Sequence, residues 1–429
     1  MTNLICNYFV MHDRSHPAMP SHPDCPEFYT GAPVDSADLR FRDAFLAELW
    51  ETLRTRHVLL TAPRRTGKTS VMDHLRDFPK HGFTVIYQNV QDLTHPADFF
   101  QAILDTLHDQ HPEIVKRLAQ GWKLLTDTLN KVTEFGIAGF KIRLRDTDPD
   151  WKDHWRQHGD RFLDQVRKQE SSILLIVDEL PDMLFNLKRE HPAVLREFLA
   201  WFRVQRQDPH PSKDRARWLI GGSVNLSGTL DGLGLVDLIN DLDDVPLPVL
   251  ADAHVIEFVQ SMLARRGVDF EETVPEQLRA HLGRPIPLFM QMATQELYRS
   301  WKKAPRKLVS ADVDRIFAQL VVSMAAQDKL QHYYSRIAKY YEEPRLSAAH
   351  ALLGQISLSS AGLSRAKLMQ EFEHHLAGAG QTIPAHERKQ HFNQLLRDLE
   401  NDFYVSEIAE NQYDFASGLL KAWWKKYYA

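Results

Sequence analysis

Two hydrophobic periods alternate along the first half of the chain, and only one of them continues through most of the second. From Asp38, the run "DLRFRDAFLAELWETLRTR" places Leu39, Phe45, Leu46 and Leu53 near one face, which predicts a helix. The short apolar run "HVLLT" then reads as a strand, and "SVMDHLRDF" returns to helical spacing. "FTVIYQNV" predicts a second strand, and "PADFFQAILDTLH" a helix with proline in its first turn. "SSILLIVDE" is almost continuously apolar, of strand length, and ends in two acids, the pattern of a buried central strand in a parallel sheet. "HPAVLREFLAWFRVQRQ" is helical again, and "ARWLIGGS" is another buried strand. Strands alternating with helices predict an α/β domain whose parallel sheet is flanked by helices. In a polar interval, "IAGFKIRLR" alternates Lys141, Arg143 and Arg145 with Ile142 and Leu144, which suggests a surface strand or hairpin.

No comparable strand run follows residue 248 or so. "ADAHVIEFVQSMLARRG" and "VPEQLRAHLGRPIPLFMQMATQELYRSW" are helical. Further on, "LSAAHALLGQIS", "GLSRAKLMQEFE" and "AHERKQHFNQLLRDLENDF" predict three helices with a turn before the second. "FYVSEIAENQYDF" alternates about a polar turn like a two-stranded wing, and "SGLLKAWWKKYY" closes as an amphipathic helix. The expected organisation is a leader over 1–30, an α/β domain over 31–248, a helical lid over 249–305, and a helical connector with a winged helix–turn–helix over 306–429.

Composition narrows the class. A chain of 429 residues exceeds one ordinary core, and 43% hydrophobic with 25% charged residues suits a globular protein. The net charge of −5 exerts no overall pull toward nucleic acid or an anionic membrane. Cys6 and Cys25 are the two cysteines, both in the leader, which argues against a disulfide framework and suits a reducing cytosol. The nearby His12, His16 and His22 match no familiar zinc spacing. No apolar run approaches the roughly 20 residues that span a bilayer, and no secretory signal opens the chain, so a cytoplasmic protein without a membrane partner is expected.

The chemistry concentrates in "TAPRRTGKTS". A strand, a loop and a helix beginning Lys-Thr form the context of a phosphate-binding loop, although Ala62 stands where the usual pattern has its first glycine. Along Ala62, Pro63, Arg64, Arg65, Thr66, Gly67, Lys68, Thr69 and Ser70, backbone N–H groups can turn toward phosphate, aided by the positive end of the next helix. Lys68 would contact the β- and γ-phosphates, and the Thr69 hydroxyl would coordinate magnesium. Gly67 leaves room for phosphate, whereas Ala62 need only be small unless its φ is positive. About 110 residues downstream, Asp178 is placed to hold Mg2+ through water and Glu179 to polarise an attacking water. Ser223, ending a strand expected between the acidic strand and the loop strand, can sense the γ-phosphate; Asn225 is a weaker candidate.

These residues resemble the P-loop ATPases of the AAA+/STAND assembly, particularly the archaeal and bacterial group akin to origin-recognition ATPases. The resemblance rests on the lead-in and loop "DLRFRDAFLAELWETLRTRHVLLTAPRRTGKTSV", on "LLIVDELPDML" and on "IGGSVNL". It implies ATP with Mg2+ as ligands and hydrolysis as the activity. It also implies Arg42 near adenine, Pro285 of "GRPIPLF" near the base or ribose, and Arg284 as a second sensor of phosphate. Arg203 and Arg206 precede the sensor strand, where relatives carry an arginine finger for a neighbouring subunit, so nucleotide-dependent self-assembly is a further expectation.

For the winged helix, DNA binding through His386, Arg388, Lys389, His391 and Asn393 is one reading. The acids Glu407, Glu410 and Asp414 in the wing favour the other, docking to a protein partner. Trp423, Trp424, Tyr427 and Tyr428 suit a core or docking face better than a base-stacking platform, and His154 with His158, one helical turn apart, lacks a third metal ligand.

Overall fold

The computed structural model describes residues 27–116, 148–207, 214–222, 230, 234–378 and 384–429. Five parallel strands form the sheet: β1 (Val58–Thr61), β2 (Thr84–Asn89), β3 (Ile173–Asp178), β4 (Ala216–Gly222) and β5 (Asp243–Pro246), in the order β2-β3-β4-β1-β5. Alternate residues of each strand feed opposite faces, as the pleat requires. Ile173, Leu175 and Val177 join Phe99, Phe198 and Trp218 in one cluster, while Leu174 and Ile176 join Trp50, Val71 and Met72 in another. Both faces are covered by helices α1 (Asp43–Leu53), α2 (Lys68–Asp77), α3 (Pro96–Gln110), α4 (Trp155–Arg167), α5 (Leu180–Glu190) and α6 (Pro192–Gln207).

Two details depart from the hydrophobic pattern. Helix α1 starts at Asp43 rather than near Asp38, because Phe41 adopts φ 61° and Ser36–Asp38 is a separate tight turn capped by Asp35. Strand β5 has the sequence Asp-Asp-Val-Pro and carries no apolar run, since it is an edge strand paired only with β1.

Beyond the sheet, helices α7 (Asp252–Ala264), α8 (Thr273–Leu282), α9 (Pro287–Lys303), α10 (Ser310–Val322), α11 (Met324–Tyr340), α12 (Arg345–Leu358), α13 (Arg365–Gly378) and α14 (Ala385–Asn401) follow in sequence. The hairpin β7 (Val405–Ala409) and β8 (Gln412–Phe415) leads to α15 (Gly418–Tyr428). The expected two-stranded wing is a three-stranded sheet, because the two residues of β6 (Leu363–Ser364), too few for any sequence pattern, pair with β8. One hydrophobic cluster runs from Leu250 in front of α7 to Trp424 in α15, so these helices share a core. Trp423 and Trp424 lie inside it. The Arg284 N–H donates to the Ala416 carbonyl at 2.8 Å, joining the α8–α9 corner to the start of α15. Among the described residues no helix is long and apolar enough to cross a membrane. The leader residues 1–26 and the expected hairpin at residues 137–145 lie outside the described residues.

His57, at the head of β1, ties the sheet to α6. The Trp218 N–H donates to its Nδ1 at 3.2 Å, so the ring carries its proton on Nε2 and donates it to the Arg206 carbonyl at 3.0 Å. Burial, with Arg217 and Arg206 nearby, pushes the His57 pKa down to about 3. The depressed value fixes the sign: above pH 6.5 the ring is neutral in both states, and as pH falls toward 3 the unfolded chain gains the proton first. We expect His57 to cost roughly 2 kcal/mol of stability between pH 7 and pH 5, at about 1.4 kcal/mol per unit. Urea unfolding across this range checks it, and His57→Gln should make the pH slope shallower by up to one proton.

Candidate functional site

Strand β1 ends at Thr61, and the chain turns through Ala62–Gly67 into α2. Gly67 caps α2 with φ 97°, a conformation that favours glycine. Ala62 is buried and not among the positive-φ residues, so a methyl group is accommodated at the first position of the loop. The Thr66 hydroxyl donates to the Pro63 carbonyl at 2.7 Å and closes the turn. The first N–H groups of α2 thus face the loop with the positive end of the helix behind them. Arg65 holds φ 65° without being glycine, which is strain of the kind found at ligand sites.

Opposite the loop, fully buried Asp178 ends β3. Its Oδ1 is in contact with Lys68 Nζ and accepts from the Glu179 N–H at 2.9 Å. Its Oδ2 accepts from Thr69 Oγ1 at 2.9 Å and from the Tyr87 hydroxyl at 3.2 Å. Glu179 Oε1 lies 3.5 Å from Lys68 Nζ. Burial alone would lower the Lys68 pKa, but Asp178 and Glu179 outweigh it and raise it. Burial raises the Glu179 pKa, opposed by Lys68 and assisted by Asp178 and Asp182. A carboxylate moved toward neutral pH suits a general base. As expected, β4 lies between β1 and β3. Its Gly221 was not anticipated as a site residue: a Cβ there would sit 2.5 Å from Asp178 Oδ1, 2.7 Å from Met72 Cε and 3.0 Å from Lys68 Nζ. The doublet in "LIGGS" was the available signal.

A cleft of about 300 Å³ opens over Gly67, Lys68, Thr69, Ser70 and Glu179. It adjoins an apolar pocket formed by Phe41, Leu250, Phe258, Met262 and Met290. Tyr29 and Val34 line both, although the leader pattern gave no hint of Tyr29; its N–H donates to Gln291 Oε1 at 2.6 Å, and Val34 N–H donates to Ser70 Oγ at 3.0 Å. Arg42 lines the apolar pocket and ties the loop to the segment before α7, donating to the Thr66 carbonyl at 3.2 Å and the Pro248 carbonyl at 2.6 Å. Burial lowers its pKa to about 10.

Some expected residues sit elsewhere. Pro285 is buried and lines neither part of the cleft; Pro287, two residues on at the start of α9, lines both. Arg284 does not line the cleft, and its guanidinium lies 5.3 Å from the Phe403 ring, just before the C-terminal hairpin. Arg206 is fully buried and paired with Asp241 at 2.8 Å, a position from which it cannot reach a neighbouring subunit. Arg203 is bonded to the Asp237 carbonyl beside it. Arg64 and Arg65 border the cleft, but Arg64 turns to His332 Nε2 at 3.1 Å and Asp182 Oδ2 at 3.7 Å. Ser223 and Asn225 lie outside the described residues. On α14, Asn393 accepts from Arg365 at 2.7 Å, while His386 and Lys389 are exposed. His154 and His158 both bond Asp148 Oδ2, and among the described residues no group of three His, Cys, Asp or Glu is placed to hold a metal.

Residues 52–230 match the AAA domain family. No curated protein matches the chain. A Walker-type ATPase of Pyrococcus abyssi is similar over 92% of this chain and 98% of its own, at 17% identity with a TM-score of 0.57. The ORC2 protein of Aeropyrum pernix (12% identity, 91% and 92% covered, TM-score 0.42) and Cdc6p of Pyrobaculum aerophilum (13%, 94% and 97%, 0.41) are looser structural matches. The sheet domain therefore has the P-loop NTPase fold.

Because a Cβ at position 221 would push directly on the Lys68–Asp178 contact, Gly221→Ala should weaken binding of a fluorescent ATP analogue at least about tenfold. Titration checks this. A thermal melt should show a folded protein with a reduced midpoint, since overpacking costs about 1–3 kcal/mol.

Proposed function

We propose that the protein binds ATP with Mg2+, hydrolyses it slowly, and uses the nucleotide as a switch acting through its lid and C-terminal helices. The observation that carries this reading is the convergence of Lys68, Thr69, Asp178 and Glu179 at the carboxyl ends of β1 and β3. In open parallel sheets ligands bind at those ends. The apolar pocket beside Arg42 suits a base, and adenine is the base that the resemblance implies.

The Thr69 hydroxyl and the Asp178 carboxylate form an all-oxygen donor pair 2.9 Å apart, which fits a hard divalent cation. Magnesium held there would neutralise charge on the phosphates. Lys68 would orient the β- and γ-phosphates, and the α2 N–H groups would bind their oxygens. Glu179 would take the proton from the water that attacks the terminal phosphorus.

The reading extends to movement. Pro287, Leu288 and Gln291 line the cleft from α9, and α9 shares its core with every later helix. Nucleotide that closes α9 on the loop would therefore carry the C-terminal unit with it. We read that unit as a winged helix that docks a protein partner: Asn393 is already held by Arg365, and the hairpin presents exposed Glu407 and Glu410.

Glu179→Gln should keep nucleotide affinity within about threefold while turnover falls at least 100-fold, given the usual 10²–10⁴ for a general base. Phosphate release and analogue binding, each with and without EDTA, are the measurements. A wild-type protein that releases no phosphate, or a variant as fast as wild type, would sink the ATPase reading.

A further inference from the structure

We propose that Asp182 is a positioning residue for the phosphate loop, and that α11 controls it through Lys339. This rests on the ATPase reading above. Asp182 lies one turn beyond Glu179 on α5, with its N–H bonded to the Glu179 carbonyl at 3.1 Å and its side chain almost wholly buried. Two cations reach its carboxylate from different parts of the molecule. Arg64 Nη2, from the loop, stands 3.7 Å from Oδ2, and Lys339 Nζ, from α11, donates to Oδ1 at 2.9 Å. His332, seven residues before Lys339 and therefore on the same face of α11, meets Arg64 Nη1 at 3.1 Å. Lys188 on α5 and Glu342 beyond α11 extend the seam at 3.6 Å.

Arg64 thus stands between Asp182 and the cleft. It borders the cleft, so a terminal phosphate there competes with Asp182 for its guanidinium. A planar guanidinium matches either oxyanion, and a buried carboxylate does not give up a cation without a replacement. Lys339 is that replacement. With α11 docked, Asp182 stays neutralised when Arg64 turns to phosphate; without Lys339, Asp182 retains Arg64 and the loop loses a phosphate contact. Linkage makes the effect reciprocal: terminal phosphate that draws Arg64 away tightens Asp182 on Lys339 and holds α11 down, and phosphate departure loosens it.

The test compares ATP with ADP, because only ATP carries the terminal phosphate. In the full-length protein, Lys339→Ala should weaken ATP binding about tenfold, lower turnover, and change ADP affinity less than about twofold, an ATP–ADP difference within the usual range of coupling. Lys339 is half-exposed, and Lys339→Arg should restore both values. His332→Ala, an exposed change on the same face, should raise ATP affinity by freeing Arg64. Equal loss of ATP and ADP affinity in Lys339→Ala would mark a structural contact and overturn the proposal, as would no change at all. If wild type binds and hydrolyses ATP while Lys339→Ala does not discriminate, this inference alone fails. If wild type binds neither nucleotide, the ATPase reading fails and takes the inference with it.

Discussion

A lysine buried against a buried carboxylate in the middle of a sheet constrains everything near it. Lys68 opens α2 after the loop that follows β1, Asp178 ends β3, and β4 runs between β1 and β3. Two strand spacings separate β1 from β3 by about 10 Å, so the ammonium must cross over β4. It can do so only where β4 has no side chain, which is why Gly221 lies beneath the contact. Desolvating two charges is costly unless the remaining lone pairs are also satisfied. Thr69, Tyr87 and the Glu179 N–H supply those bonds to Asp178. The glycine and the surrounding donors are what one ion pair across this strand order requires.

The second half of the chain answers a different constraint. Helices α7 to α15 contribute to one apolar cluster, so they cannot readily shift against one another. Two of its contacts with the sheet domain are of opposite character. At the cleft, α9 offers mainly apolar surface beside the loop, whereas at α11 the contact is polar, with Lys339 on Asp182 and His332 on Arg64. Apolar contact changes gradually with separation, while a charged contact is exchanged for another partner. The polar seam is thus where binding of an anion can alter the docking of the whole body.

Much of the sheet domain was legible in the sequence, because a phosphate loop and an acidic strand end are local patterns with fixed spacing. Lys68, Thr69, Asp178 and Glu179 converge, and β4 falls between β1 and β3. What was not legible depends on tertiary placement. Strand β5 has no apolar residue but Val245, since its register against β1, rather than its own burial, makes it a strand. Arg206 sits at the end of an amphipathic helix like a reaching arginine, yet Asp241 and the Phe202 ring bury it. The motif pointed to Pro285, yet the first-turn geometry of α9 brings Pro287, two residues on, to the cleft. Tyr29 lies in a stretch without periodicity, so nothing local announced its contact with Gln291.

Glu179 shows how one backbone conformation links these parts. Its φ of 61° costs on the order of 1–3 kcal/mol for a non-glycine residue, which the surrounding contacts must offset. That turn lets α5 begin at once, with Glu179 as its cap, so that Glu179 faces Lys68 and Asp182, three residues later, faces Arg64. Burial raises the proton affinity of Glu179, and Lys68 is the principal force opposing it. Asp182 acts on Glu179 in the same sense as burial, and its carboxylate is met by Arg64 and Lys339. The charge around Glu179 is thus shaped by three cations: Lys68 at the start of α2, Arg64 in the loop and Lys339 on the C-terminal body.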